Sequence, residues 1–346
     1  MTKEEIMLRR LAGQHLTLPA DSLTVAAELC GLQAQFLSAA CHALRIRGGD
    51  GTEGLVKTWT LRGTVHLVPE ADLPLYLRQC GTAEDVCGSQ WYSWLSSHGY
   101  PLPPERARFF ARAMVEGIQS GTAEREALRA LCRSLGMTAE EEAHVFHGWG
   151  GTIAELAQAG VLCFQVCQEK RYRLCPPFTP LPEEEARLAL ARRYFTHFGP
   201  ATLRDAAYFF GVSQKQVKAW LEQLGASAAE CEGRTYFFLP RAGDVPDMPP
   251  CLFLAGFDQL MLGYRKEDSP FLPPEHLRGI FGLTGIVAPA ILLHGRVIGR
   301  WKQEPGRIRC TAFEPIVPQA RRIIAGQAEA LWPEKRLLWD ESAPGA

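Results

Sequence analysis

No stretch of this 346-residue sequence approaches 18 uninterrupted apolar residues, so it offers no candidate membrane-spanning helix. Residues 1–10 carry no apolar signal core and read as the start of a helix, which sets the expectation of a cytoplasmic protein. Eleven cysteines are present, yet none form a Cys-x-x-Cys pair; Cys163, Cys167 and Cys175 are the closest grouping. A structural zinc site needs four convergent ligands, usually in two close pairs. The cysteines are therefore expected to be reduced and mostly small apolar fillers. His144 and His147, at i and i+3, share a helix face without a third ligand nearby. A glycine-rich phosphate loop is also missing, so neither metal nor cofactor is expected. Charge of one sign is not in excess: 37 basic against 38 acidic residues give −1, which excludes a protein that coats DNA indiscriminately.

What is present is a folding composition, 47% hydrophobic and 22% charged, on a chain long enough for two to four domains. The clearest local signal is residues 201–225. Leu203, Ala206, Ala207 and Phe210 keep helical spacing until Gly211; Ser213 then caps a second helix with Val217, Trp220, Leu221 and Leu224 on one side. Two short helices, a glycine turn and a polar face of Gln214, Lys215 and Lys218 make a helix–turn–helix. A helix at 183–198 precedes it, and short strands at 229–231 and 235–239 around Glu232-Gly233 supply a wing. The same plan is weaker in helices 4–13, 22–31 and 36–46 with strands 57–61 and 64–68. It is also weaker in helices 105–118, 123–135 and 151–159 with strands 161–166 and 172–174. After Pro249, strand-like stretches at 251–254, 288–293, 296–301 and 307–312 read as a small barrel. A closing helix at 318–332 and a loose tail from Asp340 follow. The expected fold is α+β: three tandem winged-helix units (1–85, 86–180, 181–245) and a C-terminal β-barrel (246–346).

Three segments together resemble the AlkZ/YcaQ family of bacterial winged-helix DNA glycosylases. They are Gly31-Leu32-Gln33-Ala34-Gln35; the run from Thr58-Trp59 through Arg62-Gly63-Thr64-Val65-His66 to Val68; and Phe257-Asp258…Gly263-Tyr264-Arg265 with Gly295-Arg296…Arg300-Trp301. The resemblance spans essentially the whole chain and implies three winged helices and a barrel around a basic cleft. It also implies hydrolysis of the N-glycosidic bond of alkylated purines, including some interstrand crosslinks. Gln35 places the chain with the branch that has an amide, not a carboxylate, at the second motif position. Lys266-Glu267 stands where the family has an Arg-Asp-Arg run, a departure that bears on the DNA contacts of that loop.

The chemistry is coherent by itself. Alkylation at N7 leaves a purine cationic and a good leaving group, so the protein must hold a water below the sugar and stabilise an oxocarbenium-like transition state. A glutamine is no general base, but its carbonyl orients a water. The candidate catalytic residues are Gln33 and Gln35. On a helix, i and i+2 point about 200° apart, so both act together only if residues 31–35 are non-helical. Candidate DNA contacts are Thr58, Trp59, Arg62, His66, Tyr264, Arg265, Arg296 and Arg300, with Arg62 projecting outward from its turn. Trp301 reads as core. The basic strip at 291–310 carries Arg296, Arg300, Lys302, Arg307 and Arg309 against Glu304 alone. The partner expected is double-stranded DNA with alkylated bases, bound by a monomer. The competing reading is a transcriptional regulator using helix 213–224, although three such units without a dimerisation helix fit operator symmetry poorly.

Overall fold

Thr2 accepts a hydrogen bond from the Glu5 N–H and Glu5 takes one from the Thr2 N–H, a capping box that starts helix Lys3–Gly13. The computed structural model describes residues 1–340 apart from Leu61, Arg62, Arg78, Trp149, Ala242 and Asp244, and omits the side chains of Gln90 and Trp91. Helices and short strands mix along the chain, an α+β architecture. The chain divides into two compact units, Met1–Gly51 with Ala191–Ala346, and Thr52–Leu190.

In the first unit, helices Lys3–Gly13, Ser22–Glu28 and Leu37–Arg45 are joined by Leu203–Phe210 and Gln214–Leu224. Gly211 (φ +66°) ends the fourth of these and the Ser213 side chain caps the fifth by accepting from Gln216 N. Val217, Trp220, Leu221 and Leu224 are buried, as their spacing requires. Strands Ser227–Cys231 and Arg234–Phe238 then pair around a turn in which Glu232 and Gly233 both have positive φ.

Strands Cys251–Phe253, Ala290–Leu293, Arg296–Glu304 and Arg307–Ala312 form an antiparallel run. Arg336–Trp339 adds a fifth strand parallel to the last. Among the described residues no pairing joins the two outer strands, so the sheet is not closed. Helix Pro318–Leu331 covers it, burying Phe253, Ile291, Trp301, Ile324 and Trp332. Trp301 is core, its indole N–H donating to Leu254 O. Asp340 is no part of a loose tail: it accepts from Arg309 at 3.0 Å and Thr311 at 2.6 Å. Residues 341–346 lie outside the described residues.

In the second unit the strand order is Val65–Pro69, Leu55–Trp59, Leu162–Phe164, Tyr172–Leu174. Helices Pro104–Gln119, Arg125–Ser134 and Gly151–Gln158 pack Phe110, Met114, Leu128, Ile153 and Leu156 into one core. His144 belongs to this interior, with Nδ1 2.6 Å from Tyr100 O. None of the eleven cysteines forms a disulfide.

One partly buried histidine of the first unit makes stability depend on pH. His42 stacks on Trp332 at 5.3 Å and donates from Nε2 to Phe253 O at 2.8 Å. Burial lowers its pKa from 6.5 to about 4, the hydrogen bond to Phe253 opposing. The fold prefers neutral His42, so this contribution is complete above pH 6.5 and is lost as pH falls from there towards 4; it is worth roughly 3 kcal/mol at most. In urea unfolding, His42→Gln is expected to lose less stability than the wild type over that window. Equal losses would show that His42 is not the group responsible.

Candidate active site

Asp21 caps helix Ser22–Glu28 by accepting from the N–H groups of Leu23 and Thr24. The sequence spacing carried this helix to residue 31, but Cys30 (φ +54°) and Gly31 (φ +81°) take left-handed conformations and turn the chain out. Leu32–Gln33 is extended, residues 34–36 are non-helical, and helix Leu37–Arg45 begins after Phe36. Residues 31–35 are thus non-helical, and the divergence of about 200° between i and i+2 on a helix does not apply to the two glutamines. Gln33 is buried, Ala34 fully so, and Gln35 is exposed. Among the described residues neither amide has a hydrogen-bond partner. Phe36 is half exposed and its ring lies on that of Phe257 at 5.8 Å, with Phe257 itself at φ +56°.

This segment is braced by buried polar groups. The Gln259 amide donates to Gly31 O at 2.6 Å. Next to it, Asp258 holds a bidentate pair with Arg47, 2.7 and 3.0 Å, with both side chains fully buried. Arg47 also donates to Gln14 O and Ala43 O, and Asp258 caps its own turn through Leu260 N. Burial alone would raise the Asp258 pKa, but the Arg47 charge and these hydrogen bonds outweigh it and hold the carboxyl below its usual range. Asp258 is thus spoken for and is no general base. Gln14 donates to the Tyr264 hydroxyl at 2.9 Å, which donates to Phe198 O at 2.8 Å, and the Arg10 guanidinium lies 3.8 Å over the Tyr264 ring.

The sequence pattern of the family described as DNA glycosylase AlkZ-like matches residues 26–332. The chain belongs to the AlkZ-like DNA glycosylase family. Among curated relatives, the interstrand DNA cross-link repair glycosylase of Streptomyces sahachiroi is 28% identical over 329 residues, 86% of either chain. The solved structure of Streptomyces sahachiroi DNA glycosylase AlkZ has the same fold, with a TM-score of 0.74 and 23% identity over 98% of this chain and 99% of that one. This AlkZ-like protein is therefore an enzyme, a hydrolase of N-glycosidic bonds acting on DNA, rather than a regulator.

The DNA contacts read from sequence fare unevenly. Tyr264, expected to contact DNA, is instead 2% exposed with its hydroxyl engaged internally by Gln14 and Phe198. Thr58 and His66 are likewise buried, His66 bonding Thr60 Oγ1 at 2.8 Å, and Trp59 packs on Phe164 at 5.0 Å. Thr58 and His66 are thus turned into the protein, while Trp59 is only partly buried. Arg62 lies outside the described residues. Arg265 pairs loosely with Glu267 and Asp268, both at 3.7 Å, and Arg296 with Glu314 at 2.9 Å and Glu275 at 3.5 Å. The basic strip is partly paired too: Glu304 gathers Lys302, Arg307 and Arg309, and Asp340 adds a second carboxylate to Arg309. Arg300 differs: it is exposed, with no ion-pair partner among the described residues.

An unpaired surface cation meets a phosphate without first losing a carboxylate. Arg300→Ala is accordingly expected to flatten the slope of log affinity against log salt by about 0.9, the value of one neutralised phosphate. Arg296→Ala should change it less. Titrations of duplex DNA at several salt concentrations measure both, and an unchanged slope for Arg300→Ala would remove it from the interface.

Sequence reasoning missed Arg47, Gln259 and Phe36. Arg47 and Gln259 have no local signature; Phe36 had one, an aromatic at a helix entrance directly after the second glutamine.

Proposed function

We propose that this glycosylase releases N7-alkylated purines from duplex DNA as a monomer, interstrand crosslinks included. In this reading Gln33 and Gln35 hold the attacking water. The reading is supported chiefly by the two amides: two residues apart in a non-helical segment, without hydrogen-bond partners among the described residues, and with the carboxylate of Asp258 committed to Arg47. A site of neutral acceptors positions water without deprotonating it. That is sufficient when the leaving group already carries positive charge, and insufficient for expelling a neutral base. The named activity of the Streptomyces sahachiroi relative on interstrand crosslinks agrees with such substrates.

We read the scaffold as three winged-helix units, 1–85, 86–180 and 181–245, followed at 246–346 by the open five-stranded sheet that stands where a barrel was expected. The helix pair Leu203–Phe210 and Gln214–Leu224 and its hairpin support the third of these. Incubating the protein with duplex DNA carrying N7-methylguanine, then with alkali, is expected to give strand breaks at the lesion. Breaks before alkali would mean a lyase, and no release with firm lesion binding would leave the glutamines as contacts only.

A further inference from the structure

Glu28 ends the helix that leads into the glutamine segment, and two histidines meet it there. His15 Nε2 lies 2.6 Å from Glu28 Oε2 and His197 Nδ1 lies 3.0 Å from the same oxygen. The donor atoms of all three fall within 4.8 Å of one another. Both histidine side chains are about nine-tenths buried, while Glu28 is one-third exposed.

Hydrogen-bond arithmetic leaves this cluster one cation short. His15 Nδ1 faces Leu18 O at 3.0 Å and its Nε2 faces the carboxylate, so acceptors stand at both nitrogens although a neutral imidazole has one N–H. His197 Nδ1 faces Gly13 O at 3.3 Å as well as Glu28. Helices Lys3–Gly13 and Glu183–His197 both end here, presenting carbonyls and the negative ends of their dipoles, while burial disfavours a proton on His197 and so keeps its ring a neutral donor. His15 adopts φ +60°, an uncommon conformation for a non-glycine residue, which aims its ring at Glu28.

We propose that His15, Glu28 and His197 form a binding site for a divalent transition-metal ion of the zinc class. Two imidazole nitrogens and one carboxylate oxygen suit such ions and suit magnesium or calcium poorly. His15 shows the arrangement common in metal-binding histidines, one nitrogen towards the centre and the other donating to a backbone carbonyl. Zinc bonds of about 2.0–2.1 Å at tetrahedral angles set donors roughly 3.3 Å apart. The His15–Glu28 contact of 2.6 Å would have to lengthen by about 0.7 Å and the His197–Glu28 contact of 3.0 Å by about 0.3 Å, and the exposed flank of Glu28 leaves the fourth position to water. Arg241 is the other positive group facing the cluster; burial disfavours its charge while Glu28 attracts it. Metal would replace the proton between His15 and Glu28, adding one unit of charge where the two helix ends compensate. The ion does not touch the reaction. It fixes the residue from which Cys30 and Gly31 turn the chain towards Gln33, a positioning role that local sequence spacing concealed when no metal was expected.

The experiment uses the full chain, stripped by chelator and titrated with Co²⁺ and then Zn²⁺. One Co²⁺ per chain is expected, with visible d–d absorption and no thiolate charge-transfer band, which separates this site from the eleven cysteines. Zn²⁺ should displace it and raise Tm. Glu28→Gln and His197→Asn should lose both the spectrum and the Tm rise while keeping the far-UV spectrum; if His197→Asn does not fold, Glu28→Gln alone decides. Absence of stoichiometric binding, a thiolate band, or binding retained in Glu28→Gln overturns the proposal.

Discussion

Gln35→Ala is expected to lower base excision by about 10²-fold or more, within the range that losing one positioned group costs. Binding to lesion DNA should barely change, since one neutral amide contributes about 0.5–1.5 kcal/mol net. The structure sharpens this expectation. Gln35 is exposed at the end of an extended segment and braces nothing, so its truncation leaves the fold intact. Gln33 is buried, so its replacement mixes a folding cost with any catalytic one. Gln35→Asp addresses the chemistry from the other side, because a carboxylate can act as a true base and retain activity. Single-turnover release of N7-methylguanine, with Kd measured in parallel, separates the outcomes. Wild-type excision by Gln35→Ala together with weaker binding would make Gln35 a contact and end the water-positioning mechanism.

What was legible in the sequence is what short stretches of chain determine. Helices Leu203–Phe210 and Gln214–Leu224 were readable because Thr202, Gly211, Ser213 and Gly225 punctuate them locally and the apolar period is unbroken. The strand Arg336–Trp339 was not, because it exists through parallel pairing with Arg307–Ala312, a partner beyond an intervening helix. The site divides along the same line. Gln33 and Gln35 are contiguous and could be singled out; the turn that makes them usable depends on Cys30, a residue with no reputation for positive φ. Cation counting along residues 291–310 failed because partners come from outside the window: Glu275 and Glu314 reach Arg296, and Asp340 reaches Arg309. Tyr264 was singled out as part of the Gly263-Tyr264-Arg265 segment, and only packing reveals that Gln14 and Phe198 already engage its hydroxyl. Arg47 and Asp258 are 211 residues apart and look ordinary in isolation.

That pair carries the second large expected effect. Arg47→Met keeps the apolar bulk but leaves the fully buried Asp258 carboxylate without its counter-charge, and breaking a buried pair from one side costs about 3–5 kcal/mol. The loss should appear as a lower urea midpoint with an unchanged slope. Two controls show whether orphaned charge, and not a missing contact, is the cause. Adding Asp258→Asn to Arg47→Met removes the charge and should return part of the stability. Lowering the pH should shrink the gap between Arg47→Met and the wild type. With Arg47 in place, the Asp258 pKa is held below its usual value, and this stabilisation is lost only as pH falls through the carboxylate range. With Arg47 gone, burial raises that pKa, and the variant regains stability as Asp258 takes up a proton. Because Gln259 follows Asp258 and holds Gly31 O, Arg47→Met should also slow excision more than its surviving folded fraction explains. A variant as stable as the wild type at neutral pH, or a gap that widens on acidification, would mean that Arg47 is not the counter-charge on which the glutamine segment rests.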